Sequence, residues 1–423
     1  MVTLKTKLLF RGLLAAIVLT GFSSCSSDDG PIPDPVVTEP DDTDGDTDDG
    51  PSILGFIACQ GGMAGDYPCD GIDLMSQIPL AIFEAQRGND SWGWVDPTTN
   101  TEYALMGLNN GTAFVDISNP SDPRYLGKLP TATGSSNWRD IKVYNNHAFI
   151  VAEADGHGMQ VFDLTRLRSV VSAPVTFTAD ARLTSFGSAH NIVINEGTGY
   201  AYVVGASSFD GGPLFINIQD PQNPVLEGGY AGSEYTHDAQ VVTYTGPDVE
   251  HFGKEIFIGS NENEVVIVDI TDKNDPILLS TVEYSNVGYT HQGWFTEDQR
   301  FFLLGDELDE LEVGNRSRTI IFDFADLDAP FVHTTYLGPT FAIDHNGYVQ
   351  DNTFYLSNYT AGIRTIDISG IEATTLTEVG FFDTFPENND ASFNGVWSVY
   401  PFLPSGNIIV SDISGGLFIV RRQ

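Results

Sequence analysis

Histidine is the residue whose placement in this sequence points most directly to chemistry. Four of the eight histidines fall at one position of a repeated unit, in four consecutive repeats. They are His190, His237, His291 and His345. Imidazole nitrogens are common ligands of divalent ions such as zinc, which they bind at about 2.0–2.1 Å. The pattern therefore makes these four histidines candidate ligands of a divalent metal.

Alignment of the repeats predicts a ring of equivalent positions around them. The ring is Ser91, Arg139, His190, His237, His291, His345 and Phe393, followed by Trp92, Asp140, Asn191, Asp238, Gln292, Asn346 and Asn394. Loops expected on the same face carry Glu153, Asp155, His157, Asn261, Glu262, Asp306, Glu307, Asn358 and Asp412. The candidate ligand-binding residues chosen from these sets are Arg139, Asp140, His157, His190, His237, Asp238, His291 and His345.

Three interpretations of the histidines remain open at the level of sequence. Each imidazole could bond the backbone of a neighbouring unit and have only a structural role. The imidazoles could instead bind a divalent metal, or contact an organic ligand directly. Equivalent positions in a wide ring need not converge on one point, so the repeat alone does not decide among the three.

Catalytic motifs do not accompany the ring. The sequence contains neither a Gly-x-Ser-x-Gly elbow nor a His-Glu-x-x-His pair. An enzyme would need a general base or an activated nucleophile beside these groups. We therefore name no catalytic residue and predict a recognition or scaffolding module that binds an unknown protein, glycan or small molecule. The alternative is a metal-dependent hydrolase or lyase that uses the histidines.

A short apolar segment, usually ending in Asp, recurs seven times and reveals the repeated unit. Its copies end at Asp116, Asp163, Asn217, Asp269, Asp323, Asp367 and Arg421, at spacings of 47, 54, 52, 54, 44 and 54 residues. Each period holds four strand-like runs separated by Gly, Asn, Asp or Pro, without helical periodicity. Four short strands repeated about every 50 residues are typical of a β-propeller blade. The sequence therefore predicts an all-β fold, a seven-bladed propeller over residues 53–423.

Closure of the ring is predicted to use a strand from the beginning of the propeller. The seventh unit supplies only three strands before the sequence ends. An isolated apolar run, Leu74 to Phe83, resembles the outermost strand of a blade. We expect it to complete blade seven, which leaves few sheet edges open to aggregation.

Residues 1–24 have the pattern of a lipoprotein signal peptide. Lys5, Lys7 and Arg11 precede a short apolar run that is too short to span a bilayer. Small residues then lead to Cys25, as in a bacterial lipobox, although Phe22 replaces the usual Leu. Residues 25–52 are acidic and rich in Pro, Gly, Ser and Thr, which predicts a disordered linker. The expected location is the outer membrane at the cell surface, with the lipid as the only membrane contact.

Charge restricts the possible partners, and the cysteines suggest one cross-link. The net charge of −39 disfavours nucleic acid and anionic membranes as partners. Besides Cys25 the sequence has only Cys59 and Cys69. In an exported protein this pair predicts a disulfide, and two free thiols are the alternative.

Several motifs together resemble one known family. They are the Val-Ile-Val-Asp repeats, Gly71-Ile72-Asp73-Leu74 after the cysteine pair, Trp138-Arg139-Asp140, the segment from His157 to Leu164, Thr236-His237-Asp238 and Thr290-His291-Gln292-Gly293-Trp294. This set resembles the choice-of-anchor B family of LVIVD-repeat proteins across residues 53–423. The resemblance implies a surface protein with a propeller fold. It implies no established activity and no certain cofactor.

Overall fold

A computed structural model describes residues 51–423 of the chain. The predicted signal peptide, Cys25 and all but the end of the acidic linker lie outside the described residues. Within residues 51–423 the fold is a seven-bladed β-propeller, as the sequence predicts, because the strands form seven separate antiparallel-based sheets. In this part of the chain no helix is both long and apolar enough to cross a membrane.

Each blade has four strands, which run in order from the innermost to the outermost. Blade 1 contains Gly88–Val95, Glu102–Leu108, Gly111–Asp116 and Arg124–Pro130. Blade 2 contains Arg139–Tyr144, His147–Ala152, Met159–Asp163 and Ala181–Leu183. Blade 3 contains Asn191–Asn195, Tyr200–Val204, Leu214–Asn217 and Val225–Gly229. Blade 4 contains Asp238–Thr243, Glu255–Ser260, Val265–Asp269 and Ile277–Val282.

The remaining blades follow the same plan. Blade 5 contains Thr290–Phe295, Phe301–Asp306, Arg318–Asp323 and Phe331–Leu337. Blade 6 contains Gly347–Gln350, Thr353–Ser357, Ile363–Gly370 and Thr375–Phe382. Blade 7 contains Val396–Tyr400, Asn407–Asp412, Gly416–Arg422 and Ile72–Ile78. Additional short strands are Val175–Thr176 beside blade 1, and Met63–Ala64 and Tyr67–Asp70 beside blade 6.

Helical structure is confined to single turns in the connections. The 3₁₀ turns are Leu80–Phe83, Leu164–Ser169, Phe209–Gly211 and Ile371–Ala373, and the one short α-helix of the described residues is Asp309–Glu312.

The Asp that recurs near the end of the third strand in five of the seven blades has a local structural reason. The carboxylate of Asp116 accepts a hydrogen bond from the backbone N–H of Ser118, two residues later. Asp269 does the same with Thr271, and Asp323 with Ala325. An Asx turn of this kind reverses the chain without a further hydrogen bond from the sheet. The repeat therefore marks the turn that leads from the third strand to the fourth.

Ring closure confirms the predicted partnership and corrects its boundaries. Ile72–Ile78 pairs antiparallel with Gly416–Arg422, and Leu74 lies opposite Val420. The predicted strand extended to Phe83, but Leu80–Phe83 forms a 3₁₀ turn instead. Pro79 explains the difference, because proline has no N–H to donate and ends the ladder at this position.

The predicted disulfide between Cys59 and Cys69 is present, with Cα atoms 6.0 Å apart. Cys69 lies opposite Phe382 on the outermost strand of blade 6. The cross-link therefore holds the N-terminal segment against blade 6, immediately before the chain enters blade 7. Loop-closure entropy assigns such a link about 3 kcal/mol of stabilisation.

Candidate functional site

The innermost strands of all seven blades begin at the same end of the central channel, so their residues form layers around it. The histidine layer is Asn89, Arg139, His190, His237, His291, His345 and Trp397. The acid–amide layer, one residue further on, is Asp90, Asp140, Asn191, Asp238, Gln292, Asn346 and Ser398. The aromatic layer, two residues beyond that, is Trp92, Lys142, Val193, Gln240, Trp294, Tyr348 and Tyr400. We call the two ends of the channel the histidine end and the aromatic end.

Recurring hydrogen bonds between blades fix this alignment. The carboxylate of Asp90 accepts from the backbone N–H of Ile141, as that of Asp140 accepts from Ile192. The side-chain oxygen of Gln292 accepts from Gly347 in the same way.

The predicted ring was wrong in the first and last blades. In blade 1 the layers contain Asn89 and Asp90 rather than Ser91 and Trp92, and in blade 7 they contain Trp397 and Ser398 rather than Phe393 and Asn394. Bulges between Gly88 and Ser91, and between Val396 and Ser398, break the simple residue count.

The four predicted histidines lie side by side in the histidine layer. Ring centroids are 4.0 Å apart for His190 and His237, 4.5 Å for His237 and His291, and 4.4 Å for His291 and His345. His237, His291 and His345 are each less than 5% exposed. Blades 3 to 6 thus place their imidazoles in one continuous arc.

Hydrogen bonds orient several of these imidazoles. Nδ1 of His345 lies 2.5 Å from the carbonyl oxygen of Trp397, and Nδ1 of His237 lies 3.4 Å from that of His291. Nδ1 of His190 lies 2.6 Å from the carboxylate of Glu153. The structural interpretation of the sequence pattern, in which an imidazole bonds the next blade's backbone, therefore describes His237 and His345.

Burial controls the charge of these imidazoles. It lowers the pKa of His345 to about 3, and it lowers the pKa of His237 and His291 well below the usual value. The neighbouring imidazoles add to the effect by disfavouring a second positive charge. All three rings are neutral near pH 7, which is the form that binds metals.

Glu307 completes this region, although it was only one of several loop residues noted in the sequence. It follows the second strand of blade 5 and is 7% exposed. Its carboxylate oxygens lie 3.6 Å from Nε2 of His291 and 3.7 Å from Nε2 of His345. The hydroxyl of Tyr359 donates a hydrogen bond to the same carboxylate at 2.8 Å. Glu307 is the first residue after the second strand of its blade, a position that Glu153 occupies in blade 2, where its carboxylate contacts His190. This shared repeat position is the signal that could have drawn attention to Glu307.

Arg139 and His157, two of the predicted ligand-binding residues, contact each other. The guanidinium of Arg139 lies 3.1 Å from Nε2 of His157 and donates to the carbonyl oxygen of Leu108. Arg139 is 2% exposed and His157 is fully buried. Burial and the nearby Arg139 charge lower the pKa of His157 to about 4. These two side chains hold blades 1 and 2 together at the histidine end.

The acid–amide layer contains buried charges that are partly compensated by Lys142. The ammonium of Lys142 lies 2.5 Å from Asp140 and 3.6 Å from Asp90. Burial raises the pKa of Asp90. Burial also acts to raise the pKa of Asp140, but the charge of Lys142 and the hydrogen bonds that Asp140 makes with Asp90, Ile192 and Lys142 together lower it. Burial also raises the pKa of Asp238 to about 7. A cavity of about 20 Å³ between this layer and the histidines has room for about one water molecule.

The aromatic end is open, in contrast to the layers above it. A cleft of about 330 Å³ is lined by Trp92, Trp294, Tyr400 and Phe402, together with Gln240 and Glu196. The rings contact one another, with centroids 4.9 Å apart for Trp92 and Tyr400 and 5.3 Å for Tyr400 and Phe402. Burial raises the pKa of Glu196. Sequence reasoning missed this cleft, although aromatic residues occupy four of the seven equivalent positions in the aromatic layer.

Comparisons with known proteins agree with the fold. The family model of the LVIVD repeat matches residues 101–131 and 248–283. Both ranges contain the second, third and fourth strands of a blade, in blades 1 and 4. No curated protein matches the chain.

Two solved structures are similar to this chain at low sequence identity. One is a functionally unknown protein from Desulfotomaculum acetoxidans, with 13% identity, a TM-score of 0.48, and coverage of 72% of this chain and 87% of that one. The other is a protein from Lactobacillus plantarum, with 12% identity, a TM-score of 0.52, and coverage of 77% and 88%. At this identity the second structure supports the fold alone. The matched repeats and the seven blades together support a propeller of the LVIVD-repeat type.

Proposed function

We propose that this chain is an exported, lipid-anchored recognition protein of the choice-of-anchor B family. Its propeller binds a small organic or glycan ligand in the cleft at the aromatic end. The observation that carries the proposal is the cleft itself, an opening of about 330 Å³ lined by four aromatic side chains. Ligand pockets have volumes of this order and are lined by aromatic residues with a few polar groups.

The side chains of the cleft suit a ligand with a flat or ring-shaped apolar part. Trp92, Trp294, Tyr400 and Phe402 provide broad apolar faces, and Gln240 and Glu196 provide polar groups at the wall. Aromatic rings bury large areas while losing few rotatable bonds. The ligand's hydrogen-bonding groups would select among ring-bearing compounds.

The cleft is closed at its inner end, so the channel does not run open through the propeller. Lys142 lines the cleft, and its ammonium forms ion pairs with Asp90 and Asp140, which are buried beneath it. Beyond them the histidine layer is also buried. A ligand would therefore enter and leave through the aromatic end.

Ligand binding is testable with the tryptophans of the cleft as reporters. We expect at least one class in a panel of mono- and disaccharides, nucleosides and aromatic amines to change tryptophan fluorescence and raise the melting temperature. Trp294→Ala should abolish the response. Trp138→Ala, the same change in a half-buried side chain at the histidine end, should preserve it. Binding that survives Trp294→Ala but is lost in Trp138→Ala would place the ligand at the histidine end and contradict the proposal.

The anchor is proposed from the sequence pattern that ends at Cys25, with support from the disulfide. A Cys59–Cys69 disulfide persists in an oxidising compartment, which agrees with export. We expect the protein to partition into the detergent phase and the Cys25→Ser variant to remain in the aqueous phase. If Cys25→Ser still partitions with detergent, a protein surface rather than a lipid holds the chain at the membrane.

A further inference from the structure

We propose that the histidine end binds one divalent transition-metal ion of the zinc class, through the imidazoles of His237 and His291 and the carboxylate of Glu307. This site is separate from the aromatic cleft and does not depend on the function proposed for it. The ion would link the innermost strand of blade 4 to two segments of blade 5. Its role would be to fix these blades at the closed end of the channel.

The distances suit a shared ion. One ligand atom from each of His237, His291 and Glu307 lies within 4.8 Å of the other two. Two ligands of a tetrahedral zinc ion at about 2.0–2.1 Å are roughly 3.3 Å apart. The 3.6 Å between Nε2 of His291 and the Glu307 carboxylate is close to that value. Small side-chain rotations would bring the third ligand into range.

The hydrogen bond from His237 decides which of its nitrogens can bind a metal. A carbonyl oxygen can only accept, so the contact with the His291 carbonyl assigns the proton to Nδ1 of His237. In a neutral ring this leaves the lone pair on Nε2. Metal-binding histidines are oriented in this way, with the second nitrogen donating to a backbone carbonyl or a carboxylate.

The same argument at His345 shows that a cation is favoured beside Glu307. The Trp397 carbonyl assigns the proton of His345 to Nδ1, so an Nε2 lone pair faces the Glu307 carboxylate at 3.7 Å. Two acceptors that face each other repel, and 3.7 Å is too long for a hydrogen bond. At His291, Nδ1 is buried without a partner among residues 51–423. A metal ion bound by Glu307 would offset this repulsion, and by binding Nε2 of His291 it would place the proton of that ring on Nδ1.

One other group of possible ligands occurs in the described part of the chain, and its contacts are already explained. Nε2 of His251 lies 3.0 Å from Asp328, and its Nδ1 accepts from Lys254 at 3.1 Å. Asp248 completes that group. Both nitrogens of His251 are therefore engaged, which makes this group a matched control rather than a second site.

The test uses the full-length chain, treated with chelator and then titrated with Zn²⁺. We expect one zinc per chain by elemental analysis and a melting temperature that is several degrees higher with zinc than with chelator. Glu307→Gln keeps the size of the side chain and should lose both effects, as should His291→Gln. Asp328→Asn should retain both. Trp294→Ala should also retain both, which separates this result from the outcome for the aromatic cleft.

A direct readout keeps the test decisive if a variant folds poorly. Co²⁺ in place of zinc in the unaltered chain should give the visible absorption of a nitrogen- and oxygen-ligated ion, and X-ray absorption should count two imidazoles. Absence of stoichiometric metal from the unaltered chain would overturn the proposal. So would zinc binding that survives Glu307→Gln and is lost in Asp328→Asn.

Discussion

The two ends of the channel are built from the same strands but differ in how their side chains are held. At the histidine end, His345 and Arg139 bond backbone carbonyls across blades and are almost fully buried. At the aromatic end, Trp92 and Tyr400 mainly contact other rings and border a cleft. Directional bonds fix one end, whereas the other presents adaptable apolar faces. A propeller can thus close one mouth of its channel and leave the other for recognition.

Lys142 is the boundary between the two ends, and its removal is expected to have the largest effect. Lys142→Met keeps an unbranched side chain, one atom shorter, but removes the ammonium that faces Asp90 and Asp140. Breaking a buried ion pair by deleting one partner costs about 3–5 kcal/mol. Urea unfolding at pH 7 should show a loss of this size, and a smaller loss near pH 4, where the carboxylates take up protons more readily.

Lys254→Met is the matched control for that change. Lys254 pairs with Asp269 at 3.2 Å, but its side chain is 36% exposed. Exposed pairs contribute less than about 1 kcal/mol. Equal losses of unfolding free energy in Lys142→Met and Lys254→Met would mean that the buried pairs of Lys142 contribute no more than an exposed ion pair.

A tyrosine at each end permits the same chemical change in both environments. Tyr359→Phe removes the hydroxyl that donates to Glu307 in the buried histidine end. Loss of a hydrogen bond to a buried charged group costs about 1–3 kcal/mol. Tyr400→Phe retains the ring contacts with Trp92 and Phe402 and should change the free energy of unfolding by less than about 0.5 kcal/mol. Denaturant titration measures the free energy of unfolding of both variants. A larger loss in Tyr400→Phe than in Tyr359→Phe would mean that directional bonds matter more at the aromatic end.

The smallest expected effect concerns the charge at the open end. Burial raises the pKa of Glu196 above its value in the unfolded chain. The free energy of unfolding therefore falls as pH rises from the unfolded pKa through the folded one. Glu196→Gln should therefore be slightly more stable than the unaltered chain at pH 8 and no different at pH 4. Melting curves at the two pH values measure this. If Glu196→Gln stabilised the protein more at pH 4 than at pH 8, the fold would favour the charged form of Glu196, contrary to this prediction.

The fold could be predicted from the sequence because every blade has the same four strands and similar turns between them. The Asp near the end of most third strands forms the turn after it, so Asp116, Asp269 and Asp323 recur at one position of the repeat. The closing strand was found because blade 7 lacked a fourth strand in the sequence. Its end was misplaced because the ladder stops at Pro79, whereas the apolar pattern continues to Phe83.

The site was less accessible, since it depends on features without periodicity. The adjacency of the four histidines follows from their shared position in the repeat. Bulges shifted the alignment in blades 1 and 7, which hid Asp90 and Trp397. Glu307 contacts His291 from the first residue after the second strand of blade 5, and only three-dimensional packing shows that contact. Sequence alignment of the repeats therefore identifies the channel residues of the regular blades and misses those that follow a bulge.

The closing strand also determines the order in which the molecule can be completed. Ile72–Ile78 emerges early in synthesis, but its partner Gly416–Arg422 emerges after every other strand of the ring. The first six blades can each pair their strands locally, whereas the seventh must wait for both partners. During that interval both future partners have unpaired edges, and such edges promote association between chains. We therefore expect association between chains to compete with folding most strongly before Gly416–Arg422 pairs with Ile72–Ile78.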